Sequence, residues 1–181
     1  MAPDPSKRED VARAAHPEVK ILVSADIFSG RTDTDESLDW FRNLLPTDPG
    51  LFRDLVDAYS VHLYTQSRDP RDSVTPQRWR FDRVLMTRDL ARDAGASHPI
   101  WVTELGWSTF PGHRDSVSEE TQASYTVAGL KRNVEEWGGF VERSFVYYLG
   151  KGVNDYTGGY SLFRSDGSSK PAWDAITALL R

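Results

Sequence analysis

The residue in this sequence best placed to do chemistry is Glu104, a carboxylic acid at the end of a short apolar run. The run and the residues that follow it read PIWVTELGW over residues 99–107. Catalytic groups of parallel α/β proteins collect where strands end and loops begin. Gly106 is expected to allow the close approach of a substrate, and Trp107 is expected to form an aromatic wall beside it. A salt-bridged glutamate with a purely structural role fits the same position.

The strand that carries Glu104 predicts which way its side chain points. Side chains alternate between the two faces of a strand, so Glu104 is expected to share a face with Ile100 and Val102. Trp101 and Thr103 are expected to point to the other face. An acid among apolar neighbours needs a partner or a function.

The composition limits the classes of function. The 181 residues are 39% hydrophobic, which predicts one globular domain over residues 1–181 that buries about 70% of its unfolded surface. Twenty-two basic and 27 acidic residues without a basic stripe argue against a nucleic-acid partner. No apolar run approaches the roughly 20 residues needed to cross a bilayer, so no membrane partner is expected. Residues 1–17 lack the apolar core of a signal peptide, and the absence of cysteine leaves the compartment open.

The apolar patterns predict four strands that alternate with helices. The predicted strands cover residues 21–27, 58–64, 100–104 and 144–149. The predicted helices cover residues 8–15, 35–45, 75–95, 116–137 and a last segment from residue 170. Strands separated by helices at intervals of about forty residues favour parallel pairing with right-handed crossovers. The fold class is therefore α/β.

Several local details follow from the same patterns. Ser116 and Glu119 have the spacing of a capping box at the start of the fourth long helix. Val134 and Trp137 extend the apolar face of that helix. The polar loop 65–74 is interpreted as plain surface. The inward side of the last helix is predicted to carry Ala172, Ile176 and Leu179.

Three segments are notable for their order and spacing: SVHLY (60–64), WVTELGW (101–107), and YY (147–148) followed by SLFRSDGSSKPAW (161–173). Together they resemble the C-terminal half of the (β/α)8 barrel of clan A retaining glycoside hydrolases, with family 39 nearest. They resemble strands six, seven and eight of that barrel, and residues 21–27 would be strand five. The resemblance implies four consecutive β/α units that form the second half of a TIM barrel, a parallel sheet flanked by helices.

The resemblance also implies roles for individual residues. Glu104 matches the nucleophile of the family, which attacks the anomeric carbon and forms a glycosyl-enzyme intermediate. His62 and Tyr64 would lie beside the carboxylate and hydrogen-bond it, although His62 also fits an ordinary strand histidine. Tyr147 falls near the position of a residue that stacks under the sugar, and it fits barrel packing equally well. Further candidates for subsite walls are Trp107, Phe28 and Tyr160.

The second carboxylic acid of a retaining glycosidase has no counterpart in the sequence. In the family resembled, this acid is a glutamate after asparagine at the end of the fourth strand, and the sequence contains no Asn-Glu pair. Asp26, at the end of the first predicted strand, and Asp155, in the last loop, are the weaker alternatives for this acid. The resemblance therefore implies retaining hydrolysis of β-glycosidic bonds by descent, with the acid/base half absent. A non-catalytic carbohydrate-binding module and a degenerate half-barrel assembly module remain open as alternatives.

The expected partners follow from this half-barrel interpretation. A carbohydrate is the expected ligand, and the resemblance implies no metal and no organic cofactor. Half a barrel leaves two strand edges and an inner face exposed, and Val102 and Tyr147 are expected on that face. The sequence therefore predicts either self-association or a missing N-terminal half.

Overall fold

A parallel sheet organises the chain in a computed structural model that describes residues 13–25, 36–72, 80–150 and 155–181. Within these residues the strands lie side by side in sequence order and all pair in parallel. The strands are β1 (Leu22–Ser24), β2 (Ala58–Leu63), β3 (Ile100–Leu105) and β4 (Val141–Val146). The helices are α1 (Glu36–Leu44), α2 (Pro49–Leu55), α3 (Arg83–Asp93), α4 (Glu119–Lys131) and α5 (Pro171–Leu179). This architecture confirms the α/β prediction of consecutive β/α units.

Shorter helical turns complete the connections. A 3-10 turn covers Leu45–Thr47, a second covers Gly158–Tyr160, and a π-helical turn covers Arg132–Glu136. The first five residues of the predicted helix 75–95 lie outside the described residues, as do Asp26 and Phe28. No helix in the described ranges is long and apolar enough to span a membrane.

The face of the sheet that packs against the helices is apolar. Tyr59, Val61 and Leu63 alternate along β2, and each is buried in the main core. On β3, Ile100 and Val102 are also fully buried in that core. The expectation that Val102 lies on the open face of the sheet was therefore wrong, because its side chain packs on the helix side.

Strand β4 begins three residues earlier than predicted, at Val141 rather than Ser144. Val141 is buried in the core, whereas Glu142 and Arg143 are exposed on this last strand. Because these two consecutive residues are charged, the sequence pattern did not predict a strand there. At the other end of the predicted strand, Leu149 lies beyond β4 and is 66% exposed.

The ends of helix α4 also differ from the prediction. Ser118, not Ser116, caps the helix by accepting a 3.1 Å hydrogen bond from the backbone N–H of Thr121. At the other end the π-helical turn inserts an extra residue into the helical repeat. Val134 is therefore 73% exposed, while Trp137 remains buried. On α5, Ala172 and Ile176 face inward as predicted, but Leu179 at the end of the helix is exposed.

The loop after β2 is not plain surface. Thr65 is buried, and its Oγ1 accepts a 2.8 Å hydrogen bond from the indole N–H of Trp107. Arg132 donates a 2.6 Å hydrogen bond to the carbonyl of Pro70. The polar residues of this loop anchor it to the rest of the fold, so polarity alone gave the wrong interpretation.

Candidate active site

A shift in strand register turns the Glu104 side chain to the face opposite to the one predicted. Val61 on β2 pairs with Val102 on β3, but the next residue, His62, pairs with Glu104. Thr103 is therefore the extra residue of a β-bulge, and strict alternation fails at this point.

The contacts of the two residues at the bulge establish their direction. The hydroxyls of Thr103 and Ser60 lie 2.6 Å apart, and the carboxylate of Glu104 reaches His62 and Tyr64. Ser60 and His62 occupy alternate positions on the face of β2 that points away from the helices, and Tyr64, directly after the strand, continues this alternation. Thr103 and Glu104 therefore both face this open side of the sheet.

Two side chains hold one oxygen of the Glu104 carboxylate. The Tyr64 hydroxyl donates a 2.6 Å hydrogen bond to Oε2, and Nδ1 of His62 lies 3.5 Å from the same atom. Burial, the hydrogen bond to Glu104 and the negative charge of that residue all raise the pKa of Tyr64. Tyr64 therefore keeps its proton at neutral pH and acts as a permanent donor.

Glu104 opens into a pocket of about 410 Å³ whose walls are mostly aromatic. The residues that line it are His62, Tyr64, Gln66, Glu104, His113, Asp115, Tyr147, Tyr156, Thr157 and Tyr160. Tyr64, Tyr147 and Tyr160 pack edge to face, with ring centroids 5.5 to 6.4 Å apart. Burial and the hydrogen bond with Tyr156 raise the pKa of Tyr160. The pocket therefore combines the carboxylate of Glu104, which is hydrogen-bonded by Tyr64, with tyrosine hydroxyl groups and the edges of tyrosine rings.

The structure brings together most of the residues predicted for the site. His62, Tyr64, Tyr147 and Tyr160 all line the pocket with Glu104. The peptide bond that follows Tyr147 is cis.

Trp107 does not line the pocket, and its prediction as a subsite wall is corrected. Its side chain is 1% exposed and stacks on Phe81 with ring centroids 6.1 Å apart. Its indole N–H is satisfied by Thr65 Oγ1 and lies 3.2 Å from the carbonyl of Arg68. Trp107 therefore belongs to the core beneath the site. Phe28, another candidate for a subsite wall, lies outside the described residues.

Gly106 also has a different role from the one expected. A Cβ at this position would lie 2.5 Å from the carbonyl oxygen of Tyr147 and 3.2 Å from the ring of Tyr160. The close approach that requires glycine is thus between β3 and the segment after β4. It is not an approach of the substrate.

Five residues of the pocket were not predicted from the sequence. The missed residues are Gln66, His113, Asp115, Tyr156 and Thr157. The ring of His113 lies 4.0 Å from that of Tyr156, and its Nδ1 accepts a hydrogen bond from the backbone N–H of Asp115. The topology could have indicated these residues, because the loops that follow parallel strands meet at one edge of the sheet.

Of the two acids named as alternatives, the structure describes only Asp155, which does not line the pocket. The carboxylate of Asp155 accepts a 2.6 Å hydrogen bond from the backbone N–H of Gly158. Asp26 lies outside the described residues. In the part of the chain that the structure describes, Asp115 is the only other carboxylate that lines the pocket. The same part contains no group of three or more histidines or acids able to hold a metal ion.

The arrangement of the strands and helices is similar to part of the TIM barrels of solved glycoside hydrolases. A family 39 glycoside hydrolase from the gut symbiont Bacteroides cellulosilyticus WH2 aligns with 95% of this chain at a TM-score of 0.61 and 17% identity. The N-terminal endo-1,4-β-D-xylanase 10B of Clostridium thermocellum aligns with 98% at a TM-score of 0.57 and 13% identity.

A third similar structure belongs to another family. The family 17 β-1,3-glucanosyltransferase of Rhizomucor miehei aligns with 92% of this chain at a TM-score of 0.52 and 16% identity. The chain spans 36%, 33% and 53% of these three structures, respectively. No protein-family model and no curated protein matches the sequence. The likeness therefore concerns the fold, and it does not single out family 39 among the three families.

Proposed function

We propose that the pocket is the nucleophile side of a retaining β-glycoside hydrolase site, with Glu104 as the nucleophile. The observation that carries the proposal is the position of Glu104 at the carboxyl end of β3, where Tyr64 donates to its Oε2 inside the tyrosine-lined pocket. A carboxylate held in one orientation beside an open cavity is suited to attack a bound carbon atom.

The proposed reaction has two steps. The Glu104 carboxylate attacks the anomeric carbon and forms a glycosyl ester, while the bond from that carbon to the leaving oxygen breaks. The leaving oxygen takes a proton from a second carboxylic acid, and water later hydrolyses the ester. Tyr64 and His62 position the carboxylate in this scheme.

The aromatic walls support a carbohydrate ligand. Tyr147 and Tyr160 offer rings to the apolar C–H surface of a sugar, and their hydroxyl groups, with Gln66, offer hydrogen bonds to sugar hydroxyls. The structures with similar folds are those of a glycoside hydrolase, an endo-1,4-β-D-xylanase and a β-1,3-glucanosyltransferase. The ligand class proposed for this pocket follows from the two observations together.

The second acid is proposed to come from strands that complete the barrel. Within the described residues, β1 and β4 each pair with one neighbour only, so each leaves one edge of the sheet unpaired. A complementary set of β/α units would close these edges and bring an acid to within about 5 to 5.5 Å of the nucleophile. These units belong either to an N-terminal half or to a second copy of the chain.

The mass of the intact protein after incubation with 2-fluoro glycosides tests the nucleophile. These compounds carry a good leaving group, so they require little help from the missing acid. The expected result is a covalent adduct on the wild-type chain and none on Glu104→Gln, which has nearly the same shape but no nucleophilic charge. A folded wild-type protein that gains no mass across a panel of sugars would contradict the proposal.

The second candidate function is carbohydrate binding without cleavage. It is favoured by the pocket itself, which presents tyrosine rings and only Asp115 as a second carboxylate among the described residues. Calorimetric titration with the sugars of the same panel separates the two candidates. Saturable binding without an adduct would establish the binding module, whereas an adduct establishes the hydrolase.

A further inference from the structure

Lys170 is a buried cation that the proposed reaction does not use. Its side chain is 4% exposed, and it lies immediately before helix α5. Its Nζ donates 2.8 Å hydrogen bonds to Thr109 Oγ1 and to the carbonyl of Gly159. In the described part of the chain it forms no ion pair, and burial lowers its pKa. The carboxylate of Glu119 favours the charge of Lys170 but is itself paired with Arg164.

The Gly159 carbonyl is a meeting point for several donors. The backbone N–H and the hydroxyl of Thr109 approach it at 3.1 and 3.2 Å, and the side-chain amide of Gln122 approaches at 3.4 Å. Lys170 therefore closes a triangle, since it donates both to this carbonyl and to the Thr109 hydroxyl that also donates there. Hydrogen bonds linked in this way strengthen one another in a buried setting.

The two loops joined by this triangle are in direct contact. A Cβ on Gly159 would lie 2.2 Å from the Ser108 hydroxyl and 2.7 Å from the backbone nitrogen of Phe110. The loop that follows β3 and the turn Gly158–Tyr160 therefore have no space between them. Lys170 is buried and donates a hydrogen bond to each of these two segments.

The fixed turn carries a wall of the Glu104 pocket. Tyr160 is the last residue of the turn, and its ring packs on that of Tyr64 with centroids 5.5 Å apart. Tyr64 in turn donates to Glu104. A path of contacts thus runs from Lys170 through Gly159 and Tyr160 to the site.

We propose that Lys170 is a positioning residue that holds the Tyr160 wall of the pocket against Tyr64. It touches neither the pocket nor Glu104, so it acts through the turn alone. The inference rests on the proposed function for its effect on sugar binding, but its effect on Tyr160 can be measured without any sugar.

The test compares Lys170→Met with Lys131→Met, a matched change at an exposed lysine on α4. Both proteins are labelled with fluorotyrosine, and the Tyr160 resonance is assigned by its loss in Tyr160→Phe. Fluorine NMR is expected to show the Tyr160 resonance shifted or split in Lys170→Met and unchanged in Lys131→Met. An unchanged Tyr160 resonance in folded Lys170→Met would overturn the proposal.

Inactivation kinetics with a 2-fluoro glycoside give the second readout. In Lys170→Met the inhibition constant KI is expected to rise about fivefold, as for the loss of one typical hydrogen bond, with the inactivation rate constant nearly unchanged. A lysine that only stabilises the fold would lower the melting temperature and leave KI of the folded protein unchanged, which would overturn the proposal. If the wild-type chain forms no adduct, the proposed function fails, and the Tyr160 resonance alone decides the role of Lys170.

A second variant covers the case in which Lys170→Met does not fold. Thr109→Val keeps the lysine and removes the hydroxyl that links it to the Gly159 carbonyl. It is expected to move the Tyr160 resonance in the direction in which Lys170→Met moves it, by a smaller amount. A Tyr160 resonance that stays in place in folded Thr109→Val would overturn the proposal.

Discussion

The hydroxyl of Tyr64 donates a 2.6 Å hydrogen bond to Oε2 of Glu104, from one strand end to the next. This contact exists because the register between β2 and β3 shifts by one residue at Thr103. Without the shift, Glu104 would point to the face where Ile100 and Val102 are fully buried. The bulge therefore converts a core position into a position at the pocket.

Replacing Tyr64 with phenylalanine tests the value of this hydrogen bond. Tyr64→Phe is expected to slow adduct formation about tenfold or more, because a hydrogen bond to a charged group contributes about 1.5 to 3 kcal/mol. The rate is measured by following the mass of the protein over time with an activated 2-fluoro glycoside. Tyr125→Phe is the control, since Tyr125 packs on Trp107 outside the pocket. Equal rates in Tyr64→Phe and wild type would show that the contact does not support the nucleophile.

Trp107→Phe tests the assignment of Trp107 to the core. The change removes the hydrogen bond to Thr65 and leaves space beside Phe81. The free energy of unfolding in urea is expected to fall by about 1 to 3 kcal/mol, while KI for a 2-fluoro glycoside stays unchanged. A rise in KI without a loss of stability would return Trp107 to the wall of the pocket.

Gly106→Ala tests the close packing between β3 and the segment after β4. The added Cβ would lie 2.5 Å from the backbone oxygen of Tyr147, so one of the two segments must move. The expected cost is about 1 to 3 kcal/mol in the free energy of unfolding, together with weaker sugar binding because Tyr147 is displaced. Gly139→Ala is the control, since nothing lies within 4 Å of a Cβ there and its effect should stay within about 0.5 kcal/mol. Equal stability of the two variants would contradict this account.

The buried tyrosines predict a loss of stability at alkaline pH. Burial raises the pKa of Tyr59 to about 12, and its hydroxyl donates to the carbonyl of Ala96. The unfolded phenol releases its proton near pH 10 and the folded one near pH 12. The contribution of Tyr59 to the free energy of unfolding is thus fully present below pH 10 and is lost as the pH rises to about 12.

Urea unfolding at several pH values measures this effect. Between pH 9 and pH 12 the free energy of unfolding is expected to fall by about 2 to 3 kcal/mol more in the wild-type protein than in Tyr59→Phe. Tyr64 and Tyr160 also have raised pKa values, so both proteins lose stability and the comparison isolates Tyr59. If the free energy of unfolding depended on pH in the same way in both proteins, the raised pKa of Tyr59 would be refuted.

Much of the fold could be predicted because it depends on local patterns. The predicted strand 58–64 differs from β2 by one residue, and strand 100–104 differs from β3 by one residue. Both strands carry runs of buried apolar side chains that alternate or nearly alternate. Strand β4 was misplaced because Glu142 and Arg143 face solvent, so its pattern resembled a loop.

Part of the candidate site was predictable from the family resemblance, which implied that His62 and Tyr64 lie beside Glu104. All three line one pocket, in agreement with the rule that the ends of parallel strands meet at one edge of a sheet. The bulge at Thr103 was not predictable, because it arises from the pairing of two distant strands. The burial of Trp107 was missed for the same reason, since its neighbours Phe81 and Thr65 are distant in sequence.

The most direct test of the account is to find which residue carries the sugar after reaction with a 2-fluoro glycoside. The labelled protein is digested and the modified peptide is sequenced by mass spectrometry. The sugar is expected on the peptide that contains residues 99–107, attached to Glu104. A label on Asp115, the other carboxylate lining the pocket in the described residues, or no label on a folded protein, would contradict it.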